Sequence, residues 1–516
     1  MKTEENIVTF INNLEAENQD IECKQCKRIL PKDLWSTYSA FANTHGGKII
    51  LGITEIKNIE KNKFEITGIE KNKFEITGVE NPTKVCDDFW TCISNTNKVN
   101  YNLLSNNDVQ IKKIEDKSII IINVPEATHQ QKPIYLNNVL TNTYIRLNSA
   151  DVKVNIEQLQ ILLRNRNLAQ DVGLLKNYTI ERDLDLLSIQ KYRQHIFEHT
   201  HDTKYLDMDV SKFLIQMGAL KLDYNDNKYY ITEGGLLFFG KIDAIINRFP
   251  HFHLDYFDRR GNNARWSDRV ASDDMSFFNL NLMNYFFFIM EKLQSTITDD
   301  FELEKNLIRK SPEKLLVILR EALINMIVHA DYYVSTSSII VNVYSNYYEF
   351  NNPGMMLVST EEFIKGGNSC PRNTVIMTLF RRLGLSERAG SGGPEIFDFA
   401  ITNSFKQPQV ETNFKETNIK IWKVDLVSTY PNLSKEAKLI FTYIDKNGKN
   451  KYTAKELKEE LKLSKYVFQR AIKELSNTDL IVITGNGRGR AYSKSLTKLE
   501  LYVGVQKLAD ILRMGN

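Results

Sequence analysis

Residues Arg320–Tyr333 read REALINMIVHADYY. Within an apolar helical pattern (Ala322, Leu323, Ile324, Met326, Ile327, Val328) the stretch sets an acid, Glu321, and an amide, Asn325, four residues apart. Residues at i and i+4 are stacked neighbours on one helix face. Burying a polar pair costs free energy unless something satisfies it, so a ligand, a metal ion or water is expected beside this helix. A carboxylate can orient and activate an attacking water, and an amide oxygen is a suitable Mg2+ ligand. ATP hydrolysis needs both roles, plus backbone that closes over phosphates.

The surrounding sequence supplies candidates for the rest. Strands SIIVNVYSN and YYEFNN follow the helix, then a turn at Pro353-Gly354 and a helix around TVIMTLFRRLG. The glycine-rich AGSGG, with Gly390, Gly392 and Gly393, stands just before a helix starting near Pro394 and suits phosphate contact through backbone N–H groups. Asn352 and Gly354 end a strand at a turn where a side chain can meet a base. Paired strands QVETNF and NIKIWKVDL close a region spanning 301–427, in which helices are expected to cover an antiparallel or mixed sheet.

Upstream, 156–300 opens with a helical stretch to Arg193, followed by the strand-like KYYITEGGLLFFGK, the alternating HFHLDYF and a core helix within FFNLNLMNYFFFIM. Gly235–Lys241 imitates the start of a P-loop, but Ile242 stands where the Mg2+-ligating hydroxyl is needed, and LLFF reads as a buried strand. Region 1–155 begins with a polar helix and DIECKQC, then a helix around DLWSTYSAFANTH and strands KIILGIT, SIIIINVPE and NTYIRLN. IEKNKFEITG occurs twice in succession, at 59–68 and 69–78, and reads as a lengthened surface hairpin or loop. In 432–516, three helices precede the strand-turn-strand LIVITGNGRGRAYSKS, with Thr453 and Ser464 as helix caps: the pattern of a winged helix-turn-helix. Its third helix offers Lys465, Gln469, Arg470 and Lys473, and its wing Arg488 and Arg490, for phosphates or a groove. A protein-interaction module is the alternative reading of that fold.

Charge supports the division. Net charge is only +3 over 516 residues, but Ser434–Asn516 carries +8 and the remainder −5, which suits a polyanion partner for the C-terminal region. Five cysteines do not make a disulfide framework, and Cys23-x-x-Cys26 has no second pair at zinc spacing. With no signal-peptide pattern and no long uninterrupted apolar run, a cytoplasmic setting without membrane is expected.

Taken in order, REALINMIVHADYY, YEFNNPGMM and RNTVIMTLFRRLGLSERAGSGG resemble the GHKL-type ATPase domain of bacterial proteins labelled RecG-like helicases, upstream through TEGGLLFFGK and downstream to GRGRAY. The resemblance implies a Bergerat nucleotide fold with ATP and Mg2+ as cofactors. Glu321 then matches the water-activating acid, Asn325 the Mg2+ ligand, and His329 and Asp331 the HxD that follows. Asn352 falls where broader GHKL enzymes place an adenine-binding Asp, and Gly354 matches the glycine beside it, while Met356 replaces the second glycine. AENQDIECKQ with WSTYSAFANTHGGKIILGITE resembles the AlbA-like domain shared with Schlafen proteins. There Glu17, Glu22 and Glu55 match the metal-binding acids of Schlafen nucleases, with Lys24 completing E-x-K; a binding platform or structural domain is the alternative.

The expectation is therefore an α+β multidomain protein: an AlbA-like Schlafen domain, a GHKL (Bergerat) α/β sandwich and a winged helix-turn-helix. Its expected function is that of an ATP-binding transcriptional regulator directed at DNA, with RNA as the second candidate, working as a dimer or higher homo-oligomer. The alternatives are an ATP-gated nuclease in phage defence and a degenerate ATPase serving as scaffold.

Overall fold

The computed structural model describes residues 19–56, 73–114, 116–167, 169–261, 265–274, 279–303, 312–367, 369–385, 392–447, 449 and 451–496. Glu17, the first copy of the decapeptide, Gly390 and the side chain of Arg488 lie outside that description.

The chain is a mixed α+β multidomain protein. In the N-terminal region, strand Ile21–Lys24 runs parallel to Gly47–Leu51, which pairs antiparallel with Lys117–Val124 and it in turn with Val109–Ile114. Alternation along IIIINV sends Ile120 and Ile122 into a core with Trp35, Tyr38 and Phe41 of helix Leu34–Asn43. Segment KFEI (Lys73–Ile76) of the second decapeptide pairs antiparallel with Ile53–Ile56.

One core then runs from Leu175 to Ile421. Its elements are β1 (Leu254–Asp258), β2 (Asp268–Ala271), α1 (Leu282–Leu303), α2 (Pro312–His329), β3 (Ile339–Val343), β4 (Tyr347–Pro353), α3 (Thr360–Lys365), α4 (Thr374–Arg382), α5 (Gly392–Thr402), β5 (Gln409–Thr412) and β6 (Glu416–Trp422). They build a six-stranded sheet ordered β2-β1-β3-β4-β6-β5. Period-two patterning is explicit: Val341, Val343, Tyr348, Phe350, Ile419 and Ile421 are buried among residues of α1 and α2, while alternate positions point away. The boundary expected at residue 300 therefore falls inside α1, and β1 and β2 complete the sheet of the following region. Parallel pairing of β1 with β3, Leu254 to Ile339, is the long-range contact that joins them.

The P-loop imitation also departs from expectation. Leu236–Phe239 is buried, as core material should be, but it forms a helix, Glu233–Phe239, and not a strand. Thr232 caps it by accepting from the Gly235 N–H at 3.0 Å, and four apolar residues in a row do not distinguish strand from helix. The expected 156–193 helical stretch is likewise broken by the short strand Leu174–Leu175.

The last region consists of α6 (Lys435–Lys446), β7 (Tyr452–Thr453), α7 (Ala454–Glu460), α8 (Lys465–Asn477), β8 (Ile481–Thr484) and β9 (Ala491–Lys494), with sheet order β7-β9-β8. Thr453 and Ser464 cap α7 and α8. Among the described residues no helix is long and apolar enough to cross a membrane.

Candidate functional site

Glu321, Asn325 and His329 recur every four residues along α2 and so share one face, while Leu323, Ile324 and Ile327 turn into the core. The Asn325 amide nitrogen donates to Glu321 Oε1 at 3.3 Å. This assignment leaves the amide oxygen, the atom a cation takes, outside the pair. Beside the helix lies a pocket of about 590 Å³, counting its open mouth. Asn325, His329, Asn352 and Thr417 supply polar wall; Phe350, Ile419, Phe363 and Met355–Val358 supply the apolar part. Its wall, mostly apolar with a few placed polar groups, has the composition of a small-molecule site.

Asn352 reaches the pocket from the last turn of β4 and donates its amide hydrogen to Pro353 O at 3.1 Å, so its remaining acceptor suits an exocyclic amine. The chain then turns at Gly354, where φ is +90° and a Cβ would stand 2.8 Å from that of Asp331. Only glycine meets both demands. Thr417 on β6 fixes the turn by donating to Gly354 O at 2.9 Å.

The glycines that open α5 close against the other end of the polar face. A Cβ on Gly392 would stand 2.5 Å from both Asn325 Nδ2 and Glu321 Oε1, and one on Gly393 would run into the Phe363 carbonyl. Burial, then the charge of Glu395 in the first turn of α5, pushes the Glu321 carboxyl above the usual glutamate range. Burial and the nearby Arg372 hold His329 down to about 4, a neutral imidazole at physiological pH.

Arg372 and Asn373 were missed by sequence reasoning, although the Cys-Pro-Arg-Asn run before an apolar helix was a signal. Arg372 is fully buried: it donates to His329 O at the end of α2, to Met355 O at 2.9 Å on the pocket rim, and to Asn165 Oδ1 at 3.2 Å on the linker helix Ile156–Asn165. Asn373 ties down the same helix end, donating to Val328 O at 2.9 Å and Ala330 O at 2.7 Å. Asp331 does not line the pocket. Its carboxylate is fully buried and accepts from Arg164 of the linker helix at 2.8 Å, so it joins domains.

The N-terminal acids are arranged differently. Glu22 sits between Lys24 at 3.0 Å and Arg146 at 2.7 Å; Arg146 also holds Asp151 at 2.7 Å, and Lys24 holds Asp33 at 2.7 Å. Lys24, the lysine of the E-x-K element and expected from it to contact nucleic acid, is instead buried in this network. Glu55 is half-exposed on the strand paired with KFEI. Among the described residues no group of three or more His, Cys, Asp or Glu is placed to hold a metal ion. Cys23 and Cys26 are buried and not joined in a disulfide, and burial pushes the Cys26 thiol up to about 11.

In α8, Lys465, Gln469 and Lys473 are exposed at four-residue spacing. Arg470 is exposed too but pairs with Glu436 at 3.5 Å and Glu474 at 3.6 Å; Arg490 stands exposed at the start of β9.

Three family models match separate parts of the chain: "Schlafen, AlbA_2" over residues 17–155, a domain of unknown function (DUF8451) over 160–255, and "Putative ATP-dependent DNA helicase recG C-terminal" over 336–421. No curated protein matches. Among solved structures, the DIP2311 protein from Corynebacterium diphtheriae is similar at 15% identity and a TM-score of 0.37, covering 96% of this chain and 99% of its own. The N-terminal domain of a RecG-related protein from Nitrosomonas europaea is similar at 22% identity and a TM-score of 0.22, covering 30% of this chain and 95% of its own. At these scores neither likeness bears on fold or chemistry. The β4 and β6 walls of the pocket thus lie within the segment that matches the RecG C-terminal model, and α2 lies just upstream of it, in a chain whose N-terminal region matches a Schlafen AlbA_2 domain.

Proposed function

We propose that the protein is an ATP-binding regulator of nucleic acid, in which a GHKL-type nucleotide site controls the AlbA-like domain and a C-terminal winged helix. The carrying observation is the pocket itself: Asn325, His329 and Asn352 converge on it, and Glu321 stands one turn away under the glycines of α5. In this reading Asn352 and the apolar wall take the adenine. Glu321 accepts a proton from the attacking water, and the N–H groups at Gly392 and Gly393 face phosphate. Asn325 fits a Mg2+ ligand because its amide oxygen is left outside its bond to Glu321; a bound Mg2+ would supply charge compensation for the phosphates. Met356, on the rim where a glycine stands in the wider family, fits slow turnover, as a switch requires.

Coupling has a physical route. Arg372 touches the end of α2, the pocket rim and the linker helix at once, and Asp331 binds the same helix through Arg164. A nucleotide that moves the rim therefore acts on the segment leading to the AlbA-like domain, and through it on how domains or protomers pair. The basic charge of the C-terminal region and the exposed Lys465, Gln469 and Lys473 support DNA as the partner. The alternative of an ATP-gated nuclease needs Glu22 free for a metal, whereas two cations hold its carboxylate. The regulator is preferred.

The test is Mg2+-dependent ATP binding and hydrolysis by wild type and Glu321→Ala, with duplex DNA and RNA affinity measured with and without nucleotide. Hydrolysis lost with binding kept, and nucleic-acid affinity shifted by nucleotide in the wild type, is the expected result. No saturable binding by either protein would leave a scaffold.

A further inference from the structure

The six-stranded sheet has two faces, and only one is covered by α1 and α2. On the other, half-exposed side chains form a row that crosses the strands in register. Arg269 on β2 stands opposite Phe257 on β1, then come Asn342 on β3, Glu349 on β4 and Lys420 on β6. One pair further along, Tyr347 stands opposite Trp422, their rings 4.7 Å apart, and Tyr344 stacks on Tyr347 at 4.5 Å. At the opposite edge Phe257 meets Trp266, which is 43% exposed, at 5.2 Å.

Cations lie over these rings. Lys406 sits 3.9 Å from the centre of Trp422, Arg259 sits 4.6 Å from Phe257, and Arg269 lies 5.5 Å from Phe257 and 5.7 Å from Trp266. With Lys420 they make four positive charges. Lys420 is paired with Glu349 at 3.7 Å and Arg269 with Asp255 at 3.1 Å and Asp273 at 3.6 Å, so Lys406 and Arg259 are the cations of this set with no carboxylate pair among the described residues. The Trp422 indole N–H and the Asn418 amide oxygen, both on β6, are buried with no hydrogen-bond partner among the described residues.

Flat rings beside positive charge suit one chemistry: bases stack on aromatic faces while phosphates meet Lys and Arg. Duplex DNA, whose bases are already stacked, cannot use the rings. From β2 to β6 the row spans roughly 19 Å at the usual strand spacing, room for about three splayed bases. We propose that this face of the HATPase-type domain binds single-stranded nucleic acid. Bases stack at Tyr347, Trp422 and Trp266, and phosphates are held by Arg259, Lys406 and Lys420. The site is separate from the nucleotide pocket and does not rest on that reading.

The experiment titrates the full chain, without ATP, against labelled oligothymidylate and oligouridylate, and maps photocrosslinks from 5-iodouracil-substituted strands. Expected are crosslinks at Tyr347, Trp422 or Trp266 and a loss of at least about tenfold in affinity for Lys406→Glu with Arg259→Glu. The slope of log affinity against log salt should fall by roughly 0.7 per phosphate contact removed. Lys420→Gln serves as the milder variant if the charge reversals lower the melting temperature. Preference between the two oligomers separates RNA from DNA as the strand. Crosslinks confined to the AlbA-like domain or to 432–496, or affinity untouched by all three changes, would overturn the proposal. So would dissociation of an oligomer by these variants at unchanged oligonucleotide affinity, which would make the face a contact between copies.

Discussion

Glu321 and Glu22 are both half-buried glutamates on regular elements, and both are candidates for catalysis, Glu321 by its helical spacing and Glu22 by the resemblance to Schlafen nucleases. Their surroundings separate them. Glu321 has an amide at 3.3 Å, the acid Glu395 as its charged neighbour and a pocket beside it, so burial and repulsion raise its proton affinity. Glu22 is held between two cations whose other partners are Asp33 and Asp151. A carboxylate with raised proton affinity at a cavity is placed for proton transfer, whereas one closed into a buried ion network stabilises a fold. On the proposed reading, the same residue type does chemistry in one domain and architecture in the other.

The largest effect should come from removing the chemical group. Glu321→Gln is expected to lower ATP hydrolysis by roughly 10²–10⁴-fold, the usual contribution of a positioned base, with nucleotide binding kept. Phosphate release and equilibrium binding on the same protein check it. Glu22→Gln in the same assay should leave turnover alone, and equal loss in both would erase the contrast.

Next is the domain joint. Asp331→Asn leaves Arg164 and the buried Arg372 without their acid, and urea unfolding should report a loss of about 3 kcal/mol, as for other broken buried pairs. Glu22→Gln should cost less, roughly 2 kcal/mol as a charged hydrogen bond lost, because Asp151 and Asp33 still face Arg146 and Lys24. If that variant instead abolished oligonucleotide cleavage at unchanged stability, Glu22 would be catalytic.

The smallest effect is a shift in pH. As the proposed base, Glu321 would act only when ionised, and its raised pKa places the expected acid limb of hydrolysis higher than for an ordinary glutamate. Glu395→Gln removes the like charge and should move that limb to lower pH; an unmoved limb would assign it to another group. The same sign governs stability. A carboxyl whose folded pKa is raised binds its proton more tightly when folded, so its contribution weakens as pH rises through the interval between the unfolded and folded values.

Much of the site was legible before folding was considered. Four-residue spacing fixed that Glu321, Asn325 and His329 share a helix face, and period-two patterning fixed β3, β4 and β6. The caps Thr453 and Ser464 and the glycine turn at 354 follow from local backbone demands. Asp331 was misread because it sits two residues from His329 in the same motif, yet its side chain leaves the pocket for Arg164, 167 positions away. The helix at Glu233–Phe239 was misread because a four-residue apolar run carries no period.

What the sequence alone determined was therefore local: which faces are apolar, where helices start, where only glycine fits. Tertiary structure decided everything that depends on a distant partner. It placed β1 beside β3, buried Arg372 among three backbone or amide oxygens, and set Arg146 against Glu22 across 124 positions. The reason is range: backbone propensity and capping act over about one turn or one strand pair, while a charge takes its meaning from whatever stands within a few ångströms once the chain has closed.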